Sequence, residues 1–278
     1  MKNIYSEKII EKIAEKIIEI NYQLPEEVEK KIEEAYYIER EKYSKKYLKI
    51  ILENIKFAKK NKIPICQDTG LPIVFAEIGI DVKIELGKYK NLEEIINKGI
   101  EKGSKKGYLR NSVVSPINRI NTKTNTPAVI HYFLSEGEKF KITIISKGFG
   151  SENVSRIKML NPSEGKEGIE EFIIETVKNA GSLPCPPVFV GIGIGGSFEK
   201  SAILSKYALT KIGKNTDYRE WENKIIKKIN GLKIGPGGFG GDITVLDLKI
   251  ETFPTHIAGL PVSVNICCWA HRMGSFEI

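Results

Sequence analysis

The sequence has 278 residues, 41% of them hydrophobic, and a formal net charge of +8. It contains no apolar run near the roughly 20 residues that a membrane span needs, and its charged N-terminus lacks the apolar core of a signal peptide. Because acidic and basic residues are intermixed and no nucleic-acid motif accompanies them, we predict a soluble cytoplasmic protein that binds neither membrane nor nucleic acid.

Helical periodicity dominates the first 60 residues. Isoleucines recur at helical spacing from Ile9 to Ile18, with Lys and Glu between them. A second helix is predicted after Pro25, because Glu26 and Glu27 favour a helix N-terminus, and a third over residues 44–60. We predict that residues 1–62 form a helical layer packed on the rest of the chain.

The pattern changes at residue 63, where strands and helices begin to alternate. Strands are predicted at 73–80, in VFVGIGIGG, in ITVLDLKIETF and in PVSVNICCWA, with two more joined by a turn at 136–138; helices are predicted at 92–106, 165–180, 197–211 and 219–229. This order predicts a mixed α/β fold, α+β in character, with mixed sheets, covering helices and at least one hairpin. Since no repeat or linker interrupts it, we predict a single domain over 1–278, with 63–278 holding the mixed sheet.

Segments rich in glycine and polar residues separate these elements. Such loops are costly to order and are commonly functional. They are ICQDTGLP (65–72), YLRNSVVSPINR (108–119), SKGFGSENVSR (146–156), SLPCPP (182–187), GIGIGGSFEKSA (191–202), GPGGFGGD (235–242) and THIAGLP (255–261).

The cysteines Cys66, Cys185, Cys267 and Cys268 are scattered, and no CxxC pair occurs. This spacing excludes a compact zinc ribbon or finger, and a disulfide framework is not expected in a cytosolic chain of this size. Three thiolates on three loops suit a [4Fe–4S] cluster whose fourth iron acts as a Lewis acid on a substrate oxygen. Spacing alone leaves open that the thiols are unrelated and buried, which is the commoner case.

The glycine run and the histidines each allow two interpretations. GIGIGGS is out of frame for a dinucleotide fingerprint, so we favour a glycine turn whose N–H groups meet an anion over a simple packing turn. His131, in an apolar strand, is predicted to be structural, and His256, in a loop, is the better chemical candidate. Arg110 is either a surface charge or a carboxylate fork.

Seven motifs together resemble the class I (iron–sulfur) fumarate hydratases, and more closely the separate alpha subunits of two-subunit fumarate hydratases and L-tartrate dehydratases. They are CQDTG, LRNSVV with NTPAVIH, KGFGSEN, LPCPP, GIGIGGSFEKSA, GPGGFGGD and HIAGLPVSVNICCWAHR, and the resemblance covers residues 5–278. It implies a hydro-lyase that converts fumarate to L-malate, or alternatively L-tartrate to oxaloacetate.

The resemblance also implies a set of site residues. A [4Fe–4S] cluster would be held by Cys66, Cys185 and Cys268, with the adjacent Cys267 leaving some ambiguity about the third ligand. Asp68 and His256 would be catalytic, with Asp68 exchanging a proton with water at the cluster. Gln67, Arg110 and Gly150 would bind the substrate, Arg110 through a bidentate fork on a carboxylate.

Two positions depart from the family pattern, and one domain is missing. Phe149 stands where the family usually has glycine, and Ser115 where an acidic residue is frequent. Neither departure removes a cluster ligand, and Phe149 is expected to narrow the pocket and so to affect which substrate is bound. Single-chain relatives carry a second domain with further arginines, a lysine and the hydroxyl-bearing base. This sequence contains nothing like it, which implies a separate beta subunit, a heteromer such as α2β2 and little turnover by this chain alone.

Two other classes of function remain as alternatives. A non-catalytic iron–sulfur sensor would have a fully ligated cluster without an open iron. A basic nucleic-acid-binding protein would show affinity that falls steeply with salt.

Overall fold

A computed structural model describes residues 2–278 and confirms a mixed α/β fold. The helices are α1 (Ser6–Tyr22), α2 (Glu26–Ile38), α3 (Lys42–Asn61), α4 (Leu92–Lys106), α5 (Phe149–Glu152), α6 (Gly165–Ala180), α7 (Phe198–Ala208) and α8 (Arg219–Asn230). The strands are β1 (Lys2–Tyr5), β2 (Leu71–Gly79), β3 (Val82–Glu85), β4 (Val129–Ser135), β5 (Phe140–Lys147), β6 (Arg156–Leu160), β7 (Val188–Gly195), β8 (Val245–Phe253), β9 (Leu260–Cys267) and β10 (Met273–Glu277). Within residues 2–278, no helix has the length and apolarity to cross a bilayer.

The chain divides into two compact units. Unit 1 consists of the residues up to Pro25, Ile55–Gly148 and Arg272–Ile278, and unit 2 of Glu26–Asn54 and Phe149–His271. The helices of residues 1–62 are therefore shared between the units, with α1 in unit 1 and α2 in unit 2.

Unit 1 is built on a four-stranded sheet in the order β10–β5–β2–β4, accompanied by the parallel pair β1–β3. Helices α1 and α4 pack against each other with their apolar faces in the core, where Ile9, Ile13 and Ile17 are almost fully buried. The helices approach closely because α4 has glycine at the crossing: a Cβ at Gly99 would lie 2.7 Å from the Ile13 Cβ. The 3.6-residue spacing of the isoleucines therefore predicts the buried face of α1 correctly.

The hairpin predicted at residues 136–138 is wrong. Both strands form, but β2 lies between them, parallel to β4 and antiparallel to β5. The connecting turn passes the end of β2, where Gly79 N–H donates to Lys139 O at 2.7 Å and a Cβ at Gly79 would lie 2.1 Å from Gly137 O. Residues 73–76 are nearly fully buried, and this favours β2 in the centre of the sheet over an edge position.

Unit 2 is built on a sheet in the order β6–β9–β7–β8, with β7 parallel to β8 and antiparallel to β9. Val190 and Ile192 of β7 join the core formed with α6 and α8. The intervening Gly191 and Gly193 lie against α7, because a Cβ on either would come within 2.1 Å of the carbonyl oxygens of Ser205 and Ser201. The alternating glycines Gly191 and Gly193 are thus explained by close strand–helix packing.

Candidate active site

In unit 1, the loop between α3 and β2 carries Cys66, Gln67 and Asp68. Ile65 N–H donates to Asn21 O at 2.8 Å, and this bond ties the start of the loop to the end of α1. Asp68 Oδ1 accepts from Gly70 N–H at 2.9 Å, a local turn that fixes one carboxylate oxygen. Gln67 is exposed, and Cys66 and Asp68 are half-buried.

The backbone of Arg110 is held beside this loop. Thr69 Oγ1 donates to Arg110 O at 2.6 Å, and Asn125 Nδ2 donates to the same oxygen at 3.1 Å. Asn125 Oδ1 also accepts from Ser112 N–H at 2.6 Å, so the 110–112 segment is fixed at two points. The Arg110 side chain is exposed. Unit 1 therefore brings the backbone of Arg110 beside the loop that carries Cys66, Gln67 and Asp68.

In unit 2, Cys185 is exposed and has a φ of +54°, a backbone conformation that residues other than glycine rarely adopt. Its loop is braced by the glycine-rich segment 235–241: Gly237 N–H donates to Pro186 O at 2.7 Å. Gly238 has a φ of +78°, and a Cβ there would lie 2.4 Å from the Ser182 Cβ. These glycines allow the close packing that holds the Cys185 backbone in a strained geometry.

The adjacent thiols Cys267 and Cys268 have different surroundings. Cys267 is 1% exposed, and its Sγ lies 3.4 Å from Nδ1 of the buried His271. His271 Nε2 lies 2.9 Å from Leu209 O, which only accepts, so Nε2 carries the proton in the neutral ring. Nδ1 then accepts, and the Cys267 thiol donates to it. Cys268 is half-buried and follows the end of β9.

Strand register brings Cys185, Cys268 and Gly150 to one end of the unit 2 sheet. Cys267, the last residue of β9, pairs with Phe189 near the start of β7, so Cys268 leaves the sheet where the chain arrives from Cys185. The segment after α5 reaches the same end, because Ile266 N–H donates to Ser155 Oγ at 3.0 Å. Gly150 also lies next to the Cys185 loop, since a Cβ there would be 3.8 Å from Leu183 O.

His256 lies at the opposite end of this sheet. It occupies the exposed connection between β8 and β9, where its Nδ1 accepts from Ala258 N–H at 3.2 Å. The eight residues of β9 separate it from Cys268, a length of about 26 Å at roughly 3.3 Å per residue. His256 lines a cavity of about 920 Å³ with Trp221, Tyr218 and Lys166 among its walls. Within one chain, the structure does not bring His256 to the Cys185–Cys268 end.

His131 has a packing environment. Its ring stacks on Phe75 of the neighbouring strand, with centroids 5.3 Å apart and an interplanar angle of 24°. An aromatic stack within a sheet is a structural contact, which agrees with the role predicted for His131.

The donors suit an iron–sulfur cluster by their chemistry. Cys66, Cys185 and Cys268 are at least partly accessible, lie on loops and are not in disulfides. Thiolate sulfur is the preferred ligand for such clusters. Across residues 2–278, however, no three His, Cys, Asp or Glu side chains are arranged around one metal position. The cluster therefore remains a proposal.

Sequence reasoning missed Arg272 and Asn21. Arg272 is 1% exposed, and its Nη1 donates to Asp68 O and to Asn21 Oδ1. Arg272 stands in the predicted HIAGLPVSVNICCWAHR motif, which is a signal that it matters, but neither its burial nor its contact with the CQDTG loop follows from its position in the sequence.

Comparison with known proteins agrees with the predicted resemblance. A profile of the fumarate hydratase (Fumerase) family matches residues 10–277. The putative L(+)-tartrate dehydratase subunit alpha of Methanocaldococcus jannaschii is 44% identical over 274 residues, or 95% of each chain. The L(+)-tartrate dehydratase subunit alpha of Escherichia coli K12 is 31% identical over 279 residues, which cover 98% of this chain and 91% of that protein.

Matches of this extent define the class of protein, and this chain is a hydro-lyase. It belongs to the fumarate hydratase family, as its motifs predict.

Proposed function

We propose that this chain is the alpha subunit of a two-subunit hydro-lyase that reversibly hydrates a four-carbon dicarboxylate, fumarate to L-malate. The observation that carries the proposal is the pairing of the Cys66–Asp68 loop with the Arg110 segment in unit 1. The relatives named subunit alpha support a separate beta subunit as partner. An α2β2 heteromer in the cytoplasm, where thiols stay reduced, completes the proposal.

The proposed cofactor is a [4Fe–4S] cluster held by Cys66, Cys185 and Cys268. Support comes from the placement of Cys185 and Cys268 at one end of the unit 2 sheet and from the engagement of Cys267 with His271. When bound, the cluster supplies a Lewis acid through an iron that lacks a protein ligand.

The residues of unit 1 provide the groups that bind substrate and move a proton. Arg110 binds one substrate carboxylate through its two-pronged guanidinium, which matches carboxylate geometry. Gln67 donates its amide hydrogens to a second substrate oxygen, and the Gly150 N–H is proposed to do the same from unit 2. Asp68 holds and returns the proton at Oδ2, while its Oδ1 stays bonded to Gly70 N–H.

His256 is proposed to act in the site of a second copy of the chain. The family resemblance implies a substrate-side role for it, but β9 separates it from Cys268 within one chain. The two observations agree if the His256 loop of each alpha subunit contributes to the site of the other, as symmetric assemblies allow.

L-Tartrate is the second candidate substrate, with oxaloacetate as product. The names of the relatives favour it, since both the archaeal and the bacterial proteins are tartrate dehydratase subunits. One set of carboxylate-binding groups serves either substrate, because both have four carbons and two carboxylates.

The decisive experiment assays the chain after anaerobic cluster reconstitution, alone and with its beta subunit, on fumarate and on L-tartrate. We expect turnover of at least one substrate by the pair and little by the chain alone, with Asp68→Asn as the matched inactive control. Absence of turnover on both substrates by a cluster-loaded pair would overturn the proposal and favour the sensor alternative.

A further inference from the structure

Arg272 is one of the largest fully buried side chains in the structure, at 1% exposure. Burying a guanidinium costs free energy, so its hydrogen bonds must offset the loss of hydration. Nη1 donates to Asn21 Oδ1 at 3.2 Å and to the main-chain oxygen of Asp68. Within residues 2–278, its Nε has no hydrogen-bond partner. Arg272 thus contacts the main chain of the loop that carries Cys66 and Asp68.

Asn21 and Ser146 form a buried hydrogen-bond network around this contact. Asn21 Nδ2 donates to Ser146 Oγ at 3.1 Å and to Ile17 O at 2.9 Å, while the main-chain oxygen of Asn21 accepts from Ile65 N–H at 2.8 Å. Ser146 N–H in turn donates to Arg272 O at 3.0 Å. Both side chains are at most 2% exposed. The loop is therefore fixed at residue 65 and at residue 68 by one buried network.

The Asp68 carboxylate and the Arg272 guanidinium also face the same small space. A Cβ at Gly148 would lie 3.2 Å from Asp68 Oδ2 and 3.5 Å from Arg272 Nη2. Glycine at this position leaves room for the two opposite charges where a Cβ would otherwise stand.

We propose that Arg272 is the positioning residue of this site: it holds the Cys66–Asp68 loop by its main chain and orients the Asp68 carboxylate across Gly148. The anchoring part is independent of the reaction. The catalytic consequence rests on the proposed function of Asp68 in proton transfer.

Hydrogen exchange and thiol alkylation of the cluster-free chain test the anchoring directly. Arg272→Lys and Arg272→Gln should raise exchange in peptide 63–72 and the alkylation rate of Cys66 by about tenfold, since hydrogen bonds to charged groups are worth that much or more. Peptide 92–106 and the alkylation rate of Cys185 should not change. Arg219→Lys, which alters an ion pair with Asp247 in unit 2, is the matched control.

Asn21→Ala is a milder change, because it removes only one acceptor of Arg272 Nη1. It provides the same test if the Arg272 variants do not fold. It should raise exchange in the same peptide. Unchanged hydrogen exchange in peptide 63–72, or a rise in exchange that is equal throughout unit 1, would overturn the proposal.

Kinetics of the reconstituted heteromer separate positioning from a purely structural role. Arg272→Lys and Gly148→Ala should each lower kcat by at least about tenfold with KM nearly unchanged, because proton transfer suffers more than substrate binding from a misplaced carboxylate. Equal losses in iron content and kcat would indicate a structural role and overturn the proposal. If the wild-type heteromer itself is inactive, the proposed function fails, while the exchange experiment still decides whether Arg272 anchors the loop.

Discussion

Two neighbouring cysteines show how the surroundings of a side chain determine whether it is available as a metal ligand. Cys267 and Cys268 are identical in chemistry and adjacent in sequence. Cys267 is buried against His271, whose other nitrogen donates to Leu209 O. A thiol that donates its proton to a buried imidazole is less available as a metal ligand than a half-buried thiol at a strand end. We therefore propose Cys268 rather than Cys267 as the third cluster ligand.

Substitution of each cysteine tests this assignment. After anaerobic reconstitution, Cys268→Ser should lower the iron and sulfide content and the visible absorption well below wild type, because a ligand is lost. Cys267→Ser should retain both, since serine keeps a donor for His271. The reverse pattern would make Cys267 the ligand.

Glu170 provides a second prediction at the scale of the residue. Burial raises the pKa of Glu170, but hydrogen bonds from Lys228, Lys224 and Trp221 outweigh it and lower the pKa from 4.5 to about 2. A lowered folded-state pKa stabilises the fold above about pH 4.5, and this contribution is lost as the pH falls towards 2. Glu170→Gln should therefore reduce the free energy of unfolding by about 1–3 kcal/mol at pH 7.

Urea denaturation followed by tryptophan fluorescence measures this effect. The exposed Glu171→Gln is the matched control and should change little. The difference between wild type and Glu170→Gln should shrink as the pH approaches 2. A difference that is constant with pH would contradict the ionic explanation.

Individual site residues were predictable to different extents. Cys66, Gln67 and Asp68 could be selected because they are contiguous in one motif. The separation of His256 from Cys268 could not, because twelve residues of sequence fit a compact loop as well as an extended strand. Arg272 was missed because its partners, Asn21 and Asp68, are more than 200 residues away along the chain.

At the scale of the element, glycine spacing sets how closely strand β7 approaches helix α7. A Cβ at Gly193 would lie 2.0 Å from Ser201 O, a main-chain atom that cannot turn away. Gly193→Ala should lower the free energy of unfolding by at least about 1–3 kcal/mol, the usual cost of overpacking.

Thermal denaturation of the chain checks this prediction. Gly259→Ala is the control, because the nearest atom to its Cβ would be His256 O at 4.0 Å. It should leave the melting temperature within about a degree or two of wild type, as expected for surface substitutions. Equal stability of the two variants would mean that α7 shifts without cost.

Helices were predicted better than strands. Periodicity gives the observed bounds of α4 and α6, because each has a continuous apolar stripe between recognisable ends. The short strands β1, β3, β6 and β10 were missed. They have four or five residues each, and their partners are remote in sequence, so no local pattern marks them. Pairing across the sheet also explains why β4 and β5 do not form a hairpin.

At the scale of the whole molecule, the proposal that His256 acts in the site of a second alpha subunit has a testable signature. Mixed assemblies of Asp68→Asn and His256→Ala chains contain one site with both groups intact and one with neither. Two inactive variants should therefore recover about half of the wild-type activity in each mixed pair.

The same mixture distinguishes the other arrangement. If Asp68 and His256 served the same chain's site, every site in the mixture would carry one substitution and no activity would return. A fully active His256→Ala homogeneous enzyme would remove His256 from the mechanism. The beta subunit is present at equal amounts in all samples.

The order of chain segments in unit 1 has a consequence for biosynthesis. Its sheet is completed by β10, and its Cys66 loop is anchored by Arg272, both within residues 272–278. A chain emerging from the ribosome holds Cys66 long before it holds Arg272. We therefore expect this loop to remain unordered on the nascent chain until Arg272 has been synthesised and can bind it.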